Sequence, residues 1–257
     1  MEHWPAESIW EQVWPLLPGF TVEVLPEVDS TSSELMRRAR NGLTEPVLLV
    51  AERQSAGRGR MGRPWQSNPG DSLTFSLSLP LKPRHWSGLS LAVGVTLAEA
   101  LHPQIGLKWP NDLWWDQRKL GGILIEAAST AERSQVVVGV GLNIRPRPAE
   151  GLSTAPAALS ELLPTVSAAS CLALVAPALV RALLDFETAG FAPLLARYAA
   201  RDVLKGRTVH TSDGLTGEAL GVDPDGALRV AQPQGEVQVR SAEVSVRPVA
   251  PGAGSVA

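Results

Sequence analysis

The sequence holds a single cysteine, Cys171, so neither an intramolecular disulfide nor a Cys-rich zinc site is open to it. It also lacks an excess of basic charge. Its 23 Lys+Arg stand against 26 Asp+Glu, a formal net charge of -3, without the basic footprint of non-specific nucleic-acid binding. The start, Met1-Glu-His-Trp-Pro5, is neither basic nor followed by an apolar run, so no signal peptide is expected. The apolar stretch after Cys171 is broken by Pro177 and Arg181, so no membrane span is expected. A cytoplasmic protein is the default expectation. Lysine is scarce too: only Lys82, Lys108, Lys119 and Lys205. Where arginine is the usual cation, a lysine marks a need for a compact point charge, and two of the four fall in one short segment.

What is present suffices for a sizeable core. The chain has 257 residues, 44% hydrophobic and 19% charged, a globular composition. Ile9, Val13, Leu16 and Leu17 have helical spacing over 8–17, stopped by Pro18-Gly19. Thr21 to Val28 alternates as a strand. Thr31-Ser-Ser-Glu34 spells a capping box opening a helix to about Gly42. Strands are expected over 47–52, 72–79, 105–109, 120–127 and 135–144, and an apolar helix over 89–101. Residues 54–71 form a long Gly- and Pro-rich loop, of the length that usually carries function. After a Pro-rich connection over 145–164, residues 168–201 read as helix broken near Gly190. Short strands then alternate with turns at Ser212-Asp-Gly214, Asp223-Pro-Asp-Gly226 and Pro233-Gln-Gly235, the texture of a small β-barrel.

The 54–71 loop contains Gly57-Arg-Gly-Arg-Met-Gly-Arg63. Its three glycines spell G-x-G-x-x-G, yet Arg63-Pro64 follows where a dinucleotide fold needs a helix, and no acidic residue stands about 20 residues on. What remains is three arginines on a flexible backbone, suited to a polyphosphate or a carboxylate. Lys108-Trp-Pro-Asn-Asp112 ends a strand in a turn, and Lys119-Leu-Gly-Gly122 enters the next. A lysine there can neutralise a carboxylate and a phosphate that otherwise repel each other. Gly139-Val-Gly141-Leu-Asn143 leaves one face of a strand bare, with an amide beyond it suited to a base edge.

Taken with Asp29-Ser-Thr31, Gln54 and Trp65, these segments resemble the catalytic region of biotin protein ligases, from about Val22 to Val249. The resemblance implies an α/β (α+β) fold: a central mixed sheet flanked by helices, followed by a small SH3-like barrel. It divides the chain into an N-terminal extension (1–21), a catalytic domain (22–205), the barrel (206–249) and a tail (250–257). The implied reaction has two steps. Biotin's carboxylate attacks the α-phosphate of ATP, with Mg2+, to give biotinyl-AMP and pyrophosphate. A lysine of a biotin carboxyl carrier protein, such as that of acetyl-CoA carboxylase, then displaces AMP. Ser30, Thr31, Ser32 and Gln54 would hold the biotin rings, with Gly59, Trp65 and Gly122 completing the pocket. Arg58 and Arg60 would close over biotin and phosphate, and Arg63 would reach the pyrophosphate. Lys119 would bridge carboxylate and phosphate, Asn143 would read adenine, and Asp112 would assist the amine or a metal. The sequence departs from the family pattern at Ser32, where an Asn is common, and at Met61, where some relatives carry a basic residue. No aromatic follows Asn143 to stack on adenine. Only about 20 residues precede the first strand, too few for the helix-turn-helix domain of bifunctional relatives, so no DNA operator is expected; a homodimer is left open. A lipoate or octanoate ligase or transferase is the near alternative. A serine esterase, with Ser72 of Gly70-Asp-Ser72-Leu as nucleophile, is a remote one, because no acidic residue stands three before His210.

Overall fold

The computed structural model describes residues 3–129, 134–149, 154–240 and 246–248. The expected tail lies outside them, as do residues 150–153 of the connecting loop. Helices are α1 (Ala6–Val13), α2 (Thr31–Arg40), α3 (Leu89–Leu101), α4 (Ala168–Ala189) and α5 (Leu195–Ala199). Strands are β1 (Thr21–Val28), β2 (Val47–Gln54), β3 (Ser72–Pro80), β4 (Gly106–Lys108), β5 (Asp112–Trp115), β6 (Arg118–Ser129) and β7 (Ser134–Asn143). β8 (Thr208–Thr211), β9 (Thr216–Val222), β10 (Leu228–Gln232), β11 (Gly235–Val239) and β12 (Val246–Pro248) follow.

The first seven strands form one sheet in the order β1-β2-β3-β7-β6-β5-β4. Only β1 and β2 run parallel; every other neighbouring pair is antiparallel. This is the expected mixed sheet. One face carries Leu73, Phe75, Leu77 and Leu79 of β3 with Val136, Val138, Val140 and Leu142 of β7, in a core shared with α1, α3 and α4. The stripe of Leu172, Val175, Leu179 and Leu183 puts α4 against that face. By length and composition α4 passes for a membrane span, but these side chains are wholly buried, as in a core helix.

The opposite face departs from expectation. In β3 the alternation of apolar residues with Thr74, Ser76 and Ser78 reads as a half-buried strand with those three toward solvent. All three are buried, because α2 lies across that face, packing Leu35 and Met36 on Leu49 and Val137. The α2 cap also differs from the spelling: Ser30, not Thr31, caps the helix by accepting from the Ser33 amide, and Glu34 turns to Arg37 and Arg38. α1 ends at Val13, short of the expected residue 17, in a turn holding Pro15 and Pro18. Trp4 packs on the core and donates to Glu52, while Trp10 and Trp14 stay exposed.

The last five strands make an antiparallel sheet, β11-β10-β9-β8-β12. Its buried Val209, Ala219, Leu228, Val230 and Val246 belong to the same core cluster as the large sheet. The β9–β10 turn docks on the larger sheet's strand end: the Trp109 indole donates to the Gly226 carbonyl at 3.0 Å, and Ser87 donates to that of Asp225.

Candidate active site

On the α2 side of the sheet, β3, β7 and β6 present small residues in register. Ser76 faces Gly139 and Thr74 faces Gly141; Gly141 in turn faces Gly122. Larger side chains would fill this floor. A Cβ on Gly139 would collide with the Ser32 hydroxyl, and one on Gly141 with the Trp65 indole. The result is a cavity of about 610 Å³, walled by Ser30–Ser32, Gln54, residues 58–61 and 63–65, Lys108–Asp112 in part, Lys119 and Gly122. Arg147, Thr154–Pro156 and Val246–Pro248 complete it. Ser72 is absent from the walls, and His210 bonds to Thr216 in the second sheet, so the esterase pairing is not assembled.

At one end a polar knot fixes the expected binding residues. The Gln54 carbonyl oxygen accepts from the Thr31 amide at 2.7 Å and the Thr31 hydroxyl at 3.1 Å. Ser76 lies 2.8 Å from the Thr31 hydroxyl and 3.0 Å from that of Ser32. Asp29 accepts from the Ser30 amide and pairs with Arg37 through both its oxygens. That guanidinium holds the Asp29 carboxyl down at about 2. Ser76, unnoticed in the sequence, is the hub. Its signal was there: a run of small hydroxyl residues at every second position of an otherwise apolar strand.

Lys119 heads β6 and Asp112 begins β5, joined by an unexpected hairpin through Asp116-Gln117. Lys119 donates to Asp112 at 2.7 Å. The other Asp112 oxygen faces Lys108 at 3.9 Å, and the Lys108 ammonium lies 5.2 Å from the Trp114 ring centre. Burial pushes Lys108 down to about 8, partly offset by Asp112 and reinforced by Lys119, Arg63 and Arg247. The sequence put Lys108 at a strand end without a role; the structure makes it a second cation of the same cluster.

The glycine-arginine loop folds on itself as a flap. Arg58 and Pro64 form an antiparallel bridge. The Gly59 amide bonds to the Arg63 carbonyl and the Trp65 amide to that of Gly57. Its tip turns at Met61 and Gly62, both at positive φ, a conformation glycine takes readily. Arg60 reaches the Asn111 side chain at 3.2 Å, while Asn111 ties the turn to β6 through Ile123. Trp65 lies on Gly141, and the Arg147 guanidinium covers the outer face of its ring, 5.2 Å from the centre.

Two of the expected site residues are engaged by the protein itself. Arg58 does not present a free guanidinium: it bonds Ser33 at 2.8 Å and Glu126 at 2.6 Å. Asn143 does not face the cavity. It is 1% exposed, and its amide nitrogen donates to the carbonyls of Lys119 and Ala157. These bonds fasten β7 to the Lys119 strand, while the side-chain oxygen is buried without a partner. As for a metal, no group of three or more His, Cys, Asp or Glu side chains converges among the described residues. Both Asp112 oxygens face lysines, which does not make a cage for Mg2+. That ion, which favours phosphate oxygens and water, fits as a passenger on the nucleotide, and Asp112 is not assigned to it.

Comparison with known proteins agrees with this geometry. Residues 24–143 match the model of the biotin/lipoate A/B protein ligase family, and residues 206–247 match that of the biotin protein ligase C terminal domain. The chain is 35% identical over 252 residues to the bifunctional ligase/repressor BirA of Escherichia coli (strain K12), covering 91% of this chain and 78% of that protein. It is 32% identical to the biotin--[acetyl-CoA-carboxylase] ligase of Paracoccus denitrificans, covering 86% and 98%. A solved biotin protein ligase from Aquifex aeolicus, in complex with biotin and ATP, superposes with a TM-score of 0.77 at 28% identity, covering 89% and 99%.

Proposed function

The chain belongs to the biotin/lipoate A/B protein ligase family, and on that premise we propose the chemistry its cavity performs. It is an ATP-dependent biotin protein ligase. A carboxylate oxygen of biotin attacks the α-phosphorus of ATP, the bond to pyrophosphate breaks, and biotinyl-AMP forms. A lysine amine of the biotin carrier of a carboxylase then attacks the acyl carbon, and the bond to AMP breaks. The carrier of acetyl-CoA carboxylase is the acceptor suggested by the names of the relatives.

One observation carries the reading: a bare glycine trough with a hydroxyl-lined end leads directly to paired lysines. The trough suits a flat, apolar bicyclic ring whose polar edge meets Ser30, Thr31, Ser32 and Gln54. Its carboxylate then reaches Lys119, which screens it from the incoming α-phosphate. Lys108, Arg60 and Arg63 supply further positive charge for the departing pyrophosphate. Asp112 orients Lys119 and is placed to take the proton that the carrier amine loses as its C–N bond forms. Arg247, on β12, brings the second sheet to the cavity rim and closes the phosphate end. The flap keeps water from the mixed anhydride.

The test is ATP–pyrophosphate exchange with purified protein, Mg2+ and either biotin, lipoate or octanoate. Exchange with biotin alone is expected. Exchange driven by lipoate or octanoate in its place overturns the substrate assignment, and no exchange with any acid overturns the activity.

A further inference from the structure

The flap has one anchor that the reaction leaves unused. Arg58 spans from the flap to two separate elements, with its Nε donating to Ser33 on α2 and a terminal nitrogen donating to Glu126 on β6. Glu126 lies 68 residues from Arg58 in sequence and is not among the cavity walls. The pair is partly shielded, with 33% of the Arg58 side chain and 23% of the Glu126 side chain exposed. Its 2.6 Å contact is that of a charge-assisted hydrogen bond.

We propose that Glu126 is the latch of this active site: by gripping Arg58 it holds the Gly57–Trp65 flap shut over the acyl-adenylate until the carrier arrives. The flap's internal bonds, Gly59 to Arg63 and Trp65 to Gly57, let it move as one piece. A grip at Arg58 therefore governs the whole flap. Arg58 also sits beside Gly59 and Arg60, which line the cavity, so a short displacement at the anchor opens the trough to water. Glu126 touches no reactant and acts as a positioning residue through Arg58. Its carboxylate is what distinguishes the latch from a packing contact, since an amide of the same shape keeps the contact and loses the charge.

This inference rests on the ligase reading for its first assay and on the free protein for its second. In the absence of carrier, the enzyme with biotin and ATP should give a burst of one pyrophosphate per site, then slow AMP release as the intermediate escapes or hydrolyses. Glu126→Gln should keep the burst rate and amplitude and speed the slow phase about three- to tenfold. Glu126→Asp should fall between, and Ser33→Ala should speed it less. In the ligand-free protein, limited trypsin cleavage after Arg58 and Arg60 should quicken by a similar factor in Glu126→Gln, since nicking follows the open population. A slow phase and a nicking rate both unchanged in Glu126→Gln and Glu126→Ala would overturn the latch. So would a burst and slow phase that merely decline together with the folded fraction. An absent burst in the unaltered protein sinks the ligase reading, and the nicking comparison alone then decides the latch.

Discussion

Lys108 offers the sharpest quantitative test, because its burial sets a sign as well as a size. Its side chain is 11% exposed, and its pKa falls from 10.5 to about 8. Below pH 8 the ammonium is charged in both folded and unfolded chains, and the folded state carries the whole penalty. Between pH 8 and 10.5 the folded protein sheds the proton while the unfolded chain keeps it. Stability therefore rises with pH across that window, since the unfolded state binds more protons. At 1.36 kcal/mol per pKa unit the penalty at pH 7 is about 3 kcal/mol. Lys108→Met removes it while leaving Asp112 paired with Lys119. Urea denaturation at pH 7, 8, 9 and 10 is the assay. The Met variant should be more stable by up to about 3 kcal/mol at pH 7, with the advantage shrinking toward pH 10. It should also lose exchange activity, because the strained cation is there for an anionic ligand. A variant less stable than the parent at pH 7, or one whose advantage does not shrink with pH, refutes the argument.

Three other substitutions probe separate parts of the site. Lys119→Gln should lower pyrophosphate exchange about 100-fold or more while costing only about 1 kcal/mol of stability for the lost pair with Asp112; near-parental exchange would remove Lys119 from the chemistry. Gly139→Ala, whose Cβ would run into the Ser32 hydroxyl, should raise the KM for biotin about tenfold with little change in kcat, as loss of uniform binding does. An unchanged KM would mean biotin does not lie along β7. Trp109→Phe leaves the Gly226 carbonyl without its donor and, the phenyl being smaller than the fully buried indole, opens a cavity, which together should destabilise by about 2–5 kcal/mol. Equal stability in urea would show the second sheet does not lean on that indole.

Much of the fold was legible because its elements are long and strongly patterned. The bounds of β1 and α3 follow from apolar spacing alone, and the capping spelling placed α2 correctly even though the capping side chain is Ser30. β5 was missed for a local reason. Its hairpin with β6 turns through Asp116 and Gln117, at φ 48° and 57°, where the usual spelling puts Asn-Gly or Asp-Gly. Without glycine the segment carried no hairpin signal. Ser76 was missed for a tertiary reason: alternation tells which residues share a face, but not that α2 will cover the polar one.

The same division explains which site residues the motifs revealed. Composition identified the Gly-Arg loop as an anion grip, yet spacing cannot say that one of its guanidiniums is claimed by a carboxylate 68 residues away. In Lys108-Trp-Pro-Asn-Asp112 and Gly139-Val-Gly-Leu-Asn143 the resemblance implies a ligand role for Asp112 and Asn143 alone, but each motif mixes two jobs. Lys108, Asp112, Gly139 and Gly141 line the cavity. Trp109, bonded to Gly226, and Asn143, bonded to the Lys119 and Ala157 carbonyls, hold the lining strands in place. Asn111 does both, touching Arg60 on the flap and Ile123 on β6. A buried amide group finds its partners in the protein around it, and the Asn143 nitrogen does so while its side-chain oxygen has none. Asn143 spends its donors on the backbone of the very residue expected to carry the reaction, and so it acts on Lys119 from behind.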